Sequence, residues 1–350
     1  MVNENRFAGV ILNIALSPLI FRKSSRTVRR REGILKKSAV IIIVAIIAVF
    51  ALTALVACVN TDLSGIGFAQ GFEDALSCFD FTLSKDADVR VMSYNILAHM
   101  KSWGGSPVPP RAKMLLMMLD EIQPDVIGIQ EMSSDWHKVL EANLGDEYVV
   151  LHPDIDIFNK NKTPIIYNKD KLMLIESGYY AYKEGDENGC RAITWGLFTV
   201  KATGKYVIVT NTHLNFIKDG QESKSLEIMK SQAEELISKI NELYGRYSCP
   251  VIACGDYNSM ESGDIPDAFG DEYGVRAAKD VYDKLAAALT DVKFMQDTDI
   301  ICADESIAAA PSWDHIFLKG DATADKFFIV DGQAFENVSD HYAIFADFKF

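Results

Sequence analysis

The sequence predicts an α/β layered domain over residues 89–350. Segments with strand periodicity alternate with segments of helical periodicity up to the C-terminus. The chain has 350 residues, 49% of them hydrophobic, which supplies too much core for a disordered protein. Polar residues also recur where the strands end, as they do at ligand sites of α/β sheets. No period of roughly 20–50 residues repeats, so a solenoid is not expected.

The elements follow in order. Val89–Tyr94 alternates as a strand. Arg111–Ile122 carries Met114, Leu115, Met118, Leu119 and Ile122 at helical spacing, and Pro124 stops it. Asp125–Gln130 is a short buried strand, and Thr163–Tyr167, Ala192–Val200 and Tyr206–Thr212 are further strands. Ser223–Leu243 is a long amphipathic helix, Pro250–Ala253 a strand and Tyr273–Leu289 a helix. Trp313–Leu318, Lys326–Val330 and Tyr342–Phe350 close the chain as strands, giving one domain of about 260 residues.

The residues ahead of this domain concern the membrane. Of 35 basic and 49 acidic residues, nine bases and two acids precede Cys58, which leaves the rest at net −21. That body has no overall field to gather nucleic acid. Residues 1–37 form a basic segment; Ala39–Ala57 is apolar except for Thr53, and about 20 such residues span a bilayer as a helix. The Arg29-Arg30-Arg31 and Lys36-Lys37 clusters hold the front in the cytoplasm and send the body across. Leu55-Val56-Ala57-Cys58 resembles a bacterial lipobox, so 38–58 is either a cleaved signal with lipid on Cys58 or a retained transmembrane anchor. A leader of 57 residues exceeds the usual ~15–30; a start near Val28 or Leu35 would restore the proportion. Both readings make the protein bacterial and membrane-anchored, with its body extracytoplasmic. Residues 59–88 are expected to be a tether. The six cysteines include no CxxC pair and give no zinc site.

Asn95, Glu131, Asn211 with His213, Asp256 with Asn258, and Asp340 with His341 stand at five strand ends, in chain order. Any one is ordinary turn or cap chemistry. Together they offer hard oxygen ligands suited to Mg²⁺ and groups that hold phosphate and activate water. No P-loop, GxSxG or HExxH motif competes.

The set SYNIL (93–97), IQE (129–131), PIIYNKDK (164–171), RAITW (191–195), NTHLN (211–215), GDYNS (255–259), WDHIF (313–317) and SDHYAIF (339–345) resembles the endonuclease/exonuclease/phosphatase superfamily, in family order. The resemblance implies a DNase I-like four-layer α/β sandwich, two packed mixed β-sheets flanked by helices. It implies metal ligation by Glu131 with Asn95 beside it and Asp340 assisting, with Mg²⁺ (or Mn²⁺) as cofactor. Asp256 would orient or deprotonate the attacking water, Asn258 and His213 would bind phosphoryl oxygens, and His341, oriented by Asp314, would act opposite the leaving group. Tyr167 and Asn211 are implied at the phosphate. Arg191 and Trp195 match a subgroup pattern as pocket lining. His315 stands where many members have tyrosine and is read as either packing or a donor behind the site, with packing favoured slightly.

The expected activity is Mg²⁺-dependent hydrolysis of a phosphodiester or phosphomonoester on a lipid head group, nucleic acid, or sugar or inositol phosphate. A cell-surface nuclease and a non-catalytic phosphate-binding module are the alternatives, the second disfavoured because every core residue is present. No protein partner is expected.

Overall fold

The computed structural model describes residues 68–98, 108–155, 159–185, 191–262 and 278–350. The apolar segment 38–58, the basic segment before it and the first residues of the expected tether lie outside the described residues. Among the described residues no helix is long and apolar enough to cross a membrane.

The first sheet has seven strands in the order β10 (Asp299–Ile301), β12 (Thr323–Val330), β13 (Ala343–Lys349), β1 (Val89–Asn95), β2 (Val126–Gln130), β4 (Ile165–Asn168) and β3 (Tyr148–Leu151). The second has six, in the order β5 (Leu172–Ala181), β6 (Ala192–Val200), β7 (Tyr206–His213), β8 (Val251–Asp256), β11 (Asp314–Lys319) and β9 (Thr290–Asp291). Both are mixed: β1 with β2 and β7 with β8 are parallel, whereas β1 with β13 and β8 with β11 are antiparallel.

Period-two alternation sorts the strand residues between faces. Val89 and Val91 of β1, Val126 of β2 and Ile344 of β13 meet Val207 and Val209 of β7, Ile252 and Cys254 of β8, and Ile316 and Leu318 of β11 in one core between the sheets. The intervening residues Met92, Tyr94, Ile127 and Ile129 face the helices α1 (Phe68–Leu76), α2 (Val108–Ile122) and α3 (Ser134–Asn143). Ile208, Val251, Ala253 and Phe317 face α4 (Glu222–Tyr247) and α5 (Lys279–Ala286) on the other side. Helix, sheet, sheet, helix is the expected four-layer sandwich.

Local chemistry sets the helix limits. In α2, Pro109 and Pro110 occupy the first turn, where an N–H has no intrahelical partner. Gln123 ends it with φ of 51° and donates its N–H to Leu119 O. In α4, Met229, Ala233, Leu236, Ile240 and Leu243 make the buried stripe, and left-handed Ser248 is the cap. A short helix, α6 (Glu305–Ala309), lies between β10 and β11.

Part of the expected tether is folded. Phe72 and Leu76 of α1 are buried in the helix-side core, and Phe79 and Phe81 pack against it. Four apolar side chains in ten residues had more value as a packing face than the surrounding glycines and acids suggested. Helix α3 and strands β3 and β5 were not anticipated. In α3 only Trp136, His137 and Leu140 are buried, and β5 is an edge strand half-buried over most of its length, so neither carries a clean period.

Two features fix the strands that carry the polar ends. Arg90, paired with Asp347 in the β1–β13 register, donates Nε to its Oδ1 at 2.6 Å and Nη2 to its Oδ2 at 2.9 Å, with both side chains buried. Its Nη1 reaches Phe81 O and Ile122 O. Between the sheets, Gly128 lets β2 approach β7 and β8: a Cβ there would lie 2.6 Å from Cys254 Sγ and 2.7 Å from Asn211 Oδ1.

Asp347→Ala leaves the guanidinium buried and unpaired and is expected to cost about 3–5 kcal/mol in urea unfolding. Lys138→Ala, which breaks the exposed bridge to Asp135, should cost under about 1 kcal/mol in the same measurement. Gly128→Ala is expected to lower stability by about 1–3 kcal/mol. Adding Cys254→Ala should recover part of that loss, as followed by thermal melting.

Candidate active site

The polar residues converge because the inter-sheet face runs on past the apolar core. Asn95 continues the Val89 and Val91 face of β1, Asn211 and His213 continue β7, Asp256 continues β8, and Asp314 begins the Ile316 and Leu318 face of β11. Register aligns them: Asn95 stands opposite Gln130, and Asp256 pairs with both His213 and Asp314.

Asp256 is the centre. Its Oδ2 accepts from Asn95 Nδ2 at 2.9 Å, lies 3.1 Å from His213 Nε2 and is 3.9 Å from His341 Nε2. Its Oδ1 accepts from the Asn258 N–H at 2.9 Å. Asn258 Nδ2 lies 3.0 Å from His213 Nε2 and donates to Leu214 O. His341 Nδ1 is 2.6 Å from Asp314 Oδ2. Ser339 Oγ donates to Asn95 O at 2.6 Å and accepts the His341 N–H, tying the last loop to the end of β1.

The electrostatics follow from burial and sign. Burial alone would raise the Asp256 carboxyl, but the charge and hydrogen bond of His213, the charge of His341 and the Asn95 amide together hold it well below the usual carboxylate range. Burial opposes a charged His341, yet the Asp314 carboxylate, with Asp256 and Asp340, pushes it up to about 10. Its Nδ1–H therefore points at Asp314 and its Nε2–H at Asp256 and the cleft.

Glu131 follows β2 with φ of 62°, and Asn258 has φ of 48°. Asparagine tolerates left-handed backbone, whereas in glutamate it persists only where surroundings enforce it. Glu131 is fixed by Ala98 N–H donating to Oε2 at 2.8 Å and Asn95 Nδ2 donating to Oε1 at 3.3 Å. The donor set suits a hard divalent cation: carboxylates from Glu131, Asp256 and Asp314 and no thiol, the two imidazoles of His213 and His341 being taken up by Asp256 and Asp314. Ligand atoms of Asp256, Asp314 and His341 lie within 4.8 Å of one another. Asp314 Oδ1 is buried without a hydrogen-bond partner. Glu131 would hold such an ion from the β2 side; Asn95 would join it only by turning its amide, since Nδ2 now faces the acceptors.

The other expected residues divide. Asp340 is exposed beside Ser339, at the cleft rim. Arg191 lies just before β6, its guanidinium 5.9 Å from the Phe216 ring. Asn211 is fully buried, with Oδ1 accepting from Gln130 and Nδ2 donating to Ile129 O and Pro164 O. Its amide is consumed in joining the two sheets, so it supports the site from behind and has no group left for phosphate. Tyr167 pairs with Val126, level with Val91 and four residues along the strand from Asn95. It packs on Phe198 in the inter-sheet core and is not brought to the cluster. Trp195 faces the α4 side of its sheet, away from the cleft.

Three supports were missed. Arg111, buried on the apolar stripe of α2, donates to Ile96 O, Leu97 O and Val338 O and lies over the Trp136 ring. A basic residue in register with Leu115, Met118 and Ile122 was its visible signal. Gln130 and Ser339 lie in the IQE and SDHYAIF motifs, but nothing there shows their partners, which are on strands distant in sequence.

A family model described as Endonuclease/Exonuclease/phosphatase family matches residues 92–341. No curated protein matches the chain. Among solved structures, an endonuclease/exonuclease/phosphatase from Bacteroides vulgatus is 20% identical with a TM-score of 0.56, covering 75% of this chain and 98% of its own. A mannosyl-6-phosphatase from Bacteroides thetaiotaomicron is 21% identical with a TM-score of 0.55, covering 75% and 100%. The human Nocturnin catalytic domain is 18% identical with a TM-score of 0.55, covering 79% and 99%. At these identities the likeness concerns the fold. The family match runs through every residue of the cluster from Asn95 to His341, and the chain belongs to the endonuclease/exonuclease/phosphatase family of hydrolases acting on phosphoester bonds.

Proposed function

We propose that this protein is an extracytoplasmic, membrane-anchored, Mg²⁺-dependent phosphoesterase that drives in-line attack of water on a phosphodiester or phosphomonoester. The observation that carries the reading is the Asp256 carboxylate, buried and ionised, with His213, Asn258 and a charged His341 gathered around it.

Asp256, ionised and held by Asn95, His213 and Asn258, would align the attacking water. Asn258 Nδ2 gives one hydrogen to Leu214 O and turns the other toward the cleft, where it would meet a phosphoryl oxygen; His213 Nε2, 3.1 Å from Asp256 and 3.0 Å from Asn258, would reach phosphate only by leaving those partners. His341 keeps its proton at neutral pH and presents Nε2–H to charge developing on the phosphoryl group or leaving oxygen. Asp314 holds that imidazole in one orientation. Mg²⁺, held by Glu131 with help from Asn95 and Asp340 at the rim, would supply charge neutralisation at the phosphoryl oxygens. The anchoring half of the proposal rests on the apolar segment 38–58, its basic flank and the lipobox-like end at Cys58.

Full-length protein in detergent, given plasmid DNA, RNA, sphingomyelin, inositol phosphates, sugar phosphates and bis-p-nitrophenyl phosphate, is expected to turn over at least one with Mg²⁺ and none with EDTA. His341→Ala serves as the blank, and the best substrate names the class. Asp314→Asn should lower kcat by about 10²–10⁴ with KM within a few-fold. Glu131→Gln should raise the Mg²⁺ concentration required for half-maximal rate. Turnover that persists in EDTA, or in His341→Ala, refutes the mechanism. For the anchor, cell fractionation should place the protein with membranes, with its body cut by protease added outside spheroplasts.

A further inference from the structure

Residues 314 and 315 are neighbours on β11 and point to opposite faces of the sheet. Asp314 faces the cleft, whereas His315 faces the α5 side, 1% exposed, against the rings of Tyr257, Tyr282 and Phe317. Of the two readings its sequence context left open, packing and a hydrogen-bonding role, the contacts support the second. Nδ1 lies 3.0 Å from Asp291 Oδ2 and Nε2 lies 2.9 Å from the Ser259 carbonyl oxygen. Both partners are acceptors, so both ring nitrogens carry hydrogen and the buried ring is an imidazolium paired with a buried carboxylate. Asp291 is completed by Tyr282 OH at 3.1 Å and the Lys293 N–H at 3.1 Å.

What this pair grips is the turn that carries the catalytic groups. Asp256 and Asn258 point into the cleft, and the residues between and after them, Tyr257 and Ser259, are the ones His315 touches. Asn258 is left-handed at φ of 48°, a conformation asparagine tolerates, and its N–H closes on Asp256 Oδ1. A second tie lies just beyond: the Lys293 ammonium pairs with Glu261 at 3.0 Å, and Glu261 accepts the Ser312 N–H. That tie sits past the turn and does not reach Ser259.

We propose that His315 is a positioning residue: with Asp291 it clamps the Asp256–Ser259 turn from behind, so that Asn258 and Asp256 keep the geometry hydrolysis requires. The inference rests on the phosphoesterase reading only for its kinetic half; the clamp itself is read without substrate.

Full-length protein and the variants His315→Phe, His315→Gln, Asp291→Asn and Tyr282→Phe are compared by hydrogen exchange and by turnover of bis-p-nitrophenyl phosphate with Mg²⁺. In His315→Phe, exchange of peptides covering 256–262 is expected to rise about tenfold or more while α3 peptides keep their protection. Its kcat should fall about 10–100-fold with KM within about twofold. His315→Gln, which retains an N–H for Ser259 O, should recover most of kcat. Tyr282→Phe removes only the phenol bond to Asp291 and should match the wild type. Unchanged exchange at 256–262 in His315→Phe, or a rise spread evenly over the domain, overturns the clamp. Unchanged kcat alongside a loosened turn overturns its catalytic importance. If His315→Phe does not fold, Asp291→Asn and His315→Gln are read alone: a local rise at 256–262 in Asp291→Asn that exceeds that in His315→Gln supports the proposal, and none in either refutes it. A wild type that turns nothing over defeats the phosphoesterase reading, and the exchange pattern then decides the clamp by itself.

Discussion

The arrangement depends on keeping one carboxylate ionised where two sheets meet. Burying Asp256 is costly unless its oxygens are paired and hydrogen-bonded. Its partners come from β1 (Asn95), β7 (His213), the turn after β8 (Asn258) and the loop before β13 (His341). None is adjacent to another in the chain except through the turn. The site is thus the point at which the sandwich is closed, and the folded domain is what pre-orients it.

The apolar part of the same face makes that closure reproducible. Along β1, β7 and β8 the inter-sheet residues are valine, isoleucine and cysteine before they become asparagine, histidine and aspartate. A slip of one residue would put Asp256 on the helix side and Gly255 or Tyr257 in its place, exposing every core residue of β8 to the wrong layer. Gly128 lets β2 come close enough for Asn211 to reach Gln130 and Ile129, so the register of one sheet is transmitted to the other. Arg111 and Ser339 do the same for the two loops at the cleft, spending their hydrogen bonds on backbone carbonyls of Ile96, Val338 and Asn95.

How much was legible in the sequence follows from which interactions are local. The strand ends could be read because an Asn or Asp after an apolar run is visible within six residues, and the strands themselves were placed to within a few positions. Tyr167 was drawn to the site by a motif and lies four residues away along the sheet, because pairing in the antiparallel direction put the far end of β4 beside Val126. Asn211 looks the same in sequence whether its amide meets a ligand or Ile129 O. In sequence His315 could not be sorted between packing and a donor's role, because its partners, Asp291 and Ser259, are separated from it by 24 and 56 residues.

The sequence by itself determined an α/β layered domain, the strand ends that carry polar groups and, through the order of its motifs, the family resemblance that implied the four layers, because periodicity, strand-end residues and motif order are properties of short segments. The tertiary structure decided which of those groups face one another, that Asp256 and not Glu131 is the hub of the hydrogen bonds, and that a third imidazole–carboxylate pair, His315 with Asp291, stands behind the two in the cleft. Those outcomes depend on strand pairing and on the protonation that burial beside a particular neighbour imposes. Both arise only when residues distant in the chain are brought within about 3 Å, the range over which hydrogen bonds act.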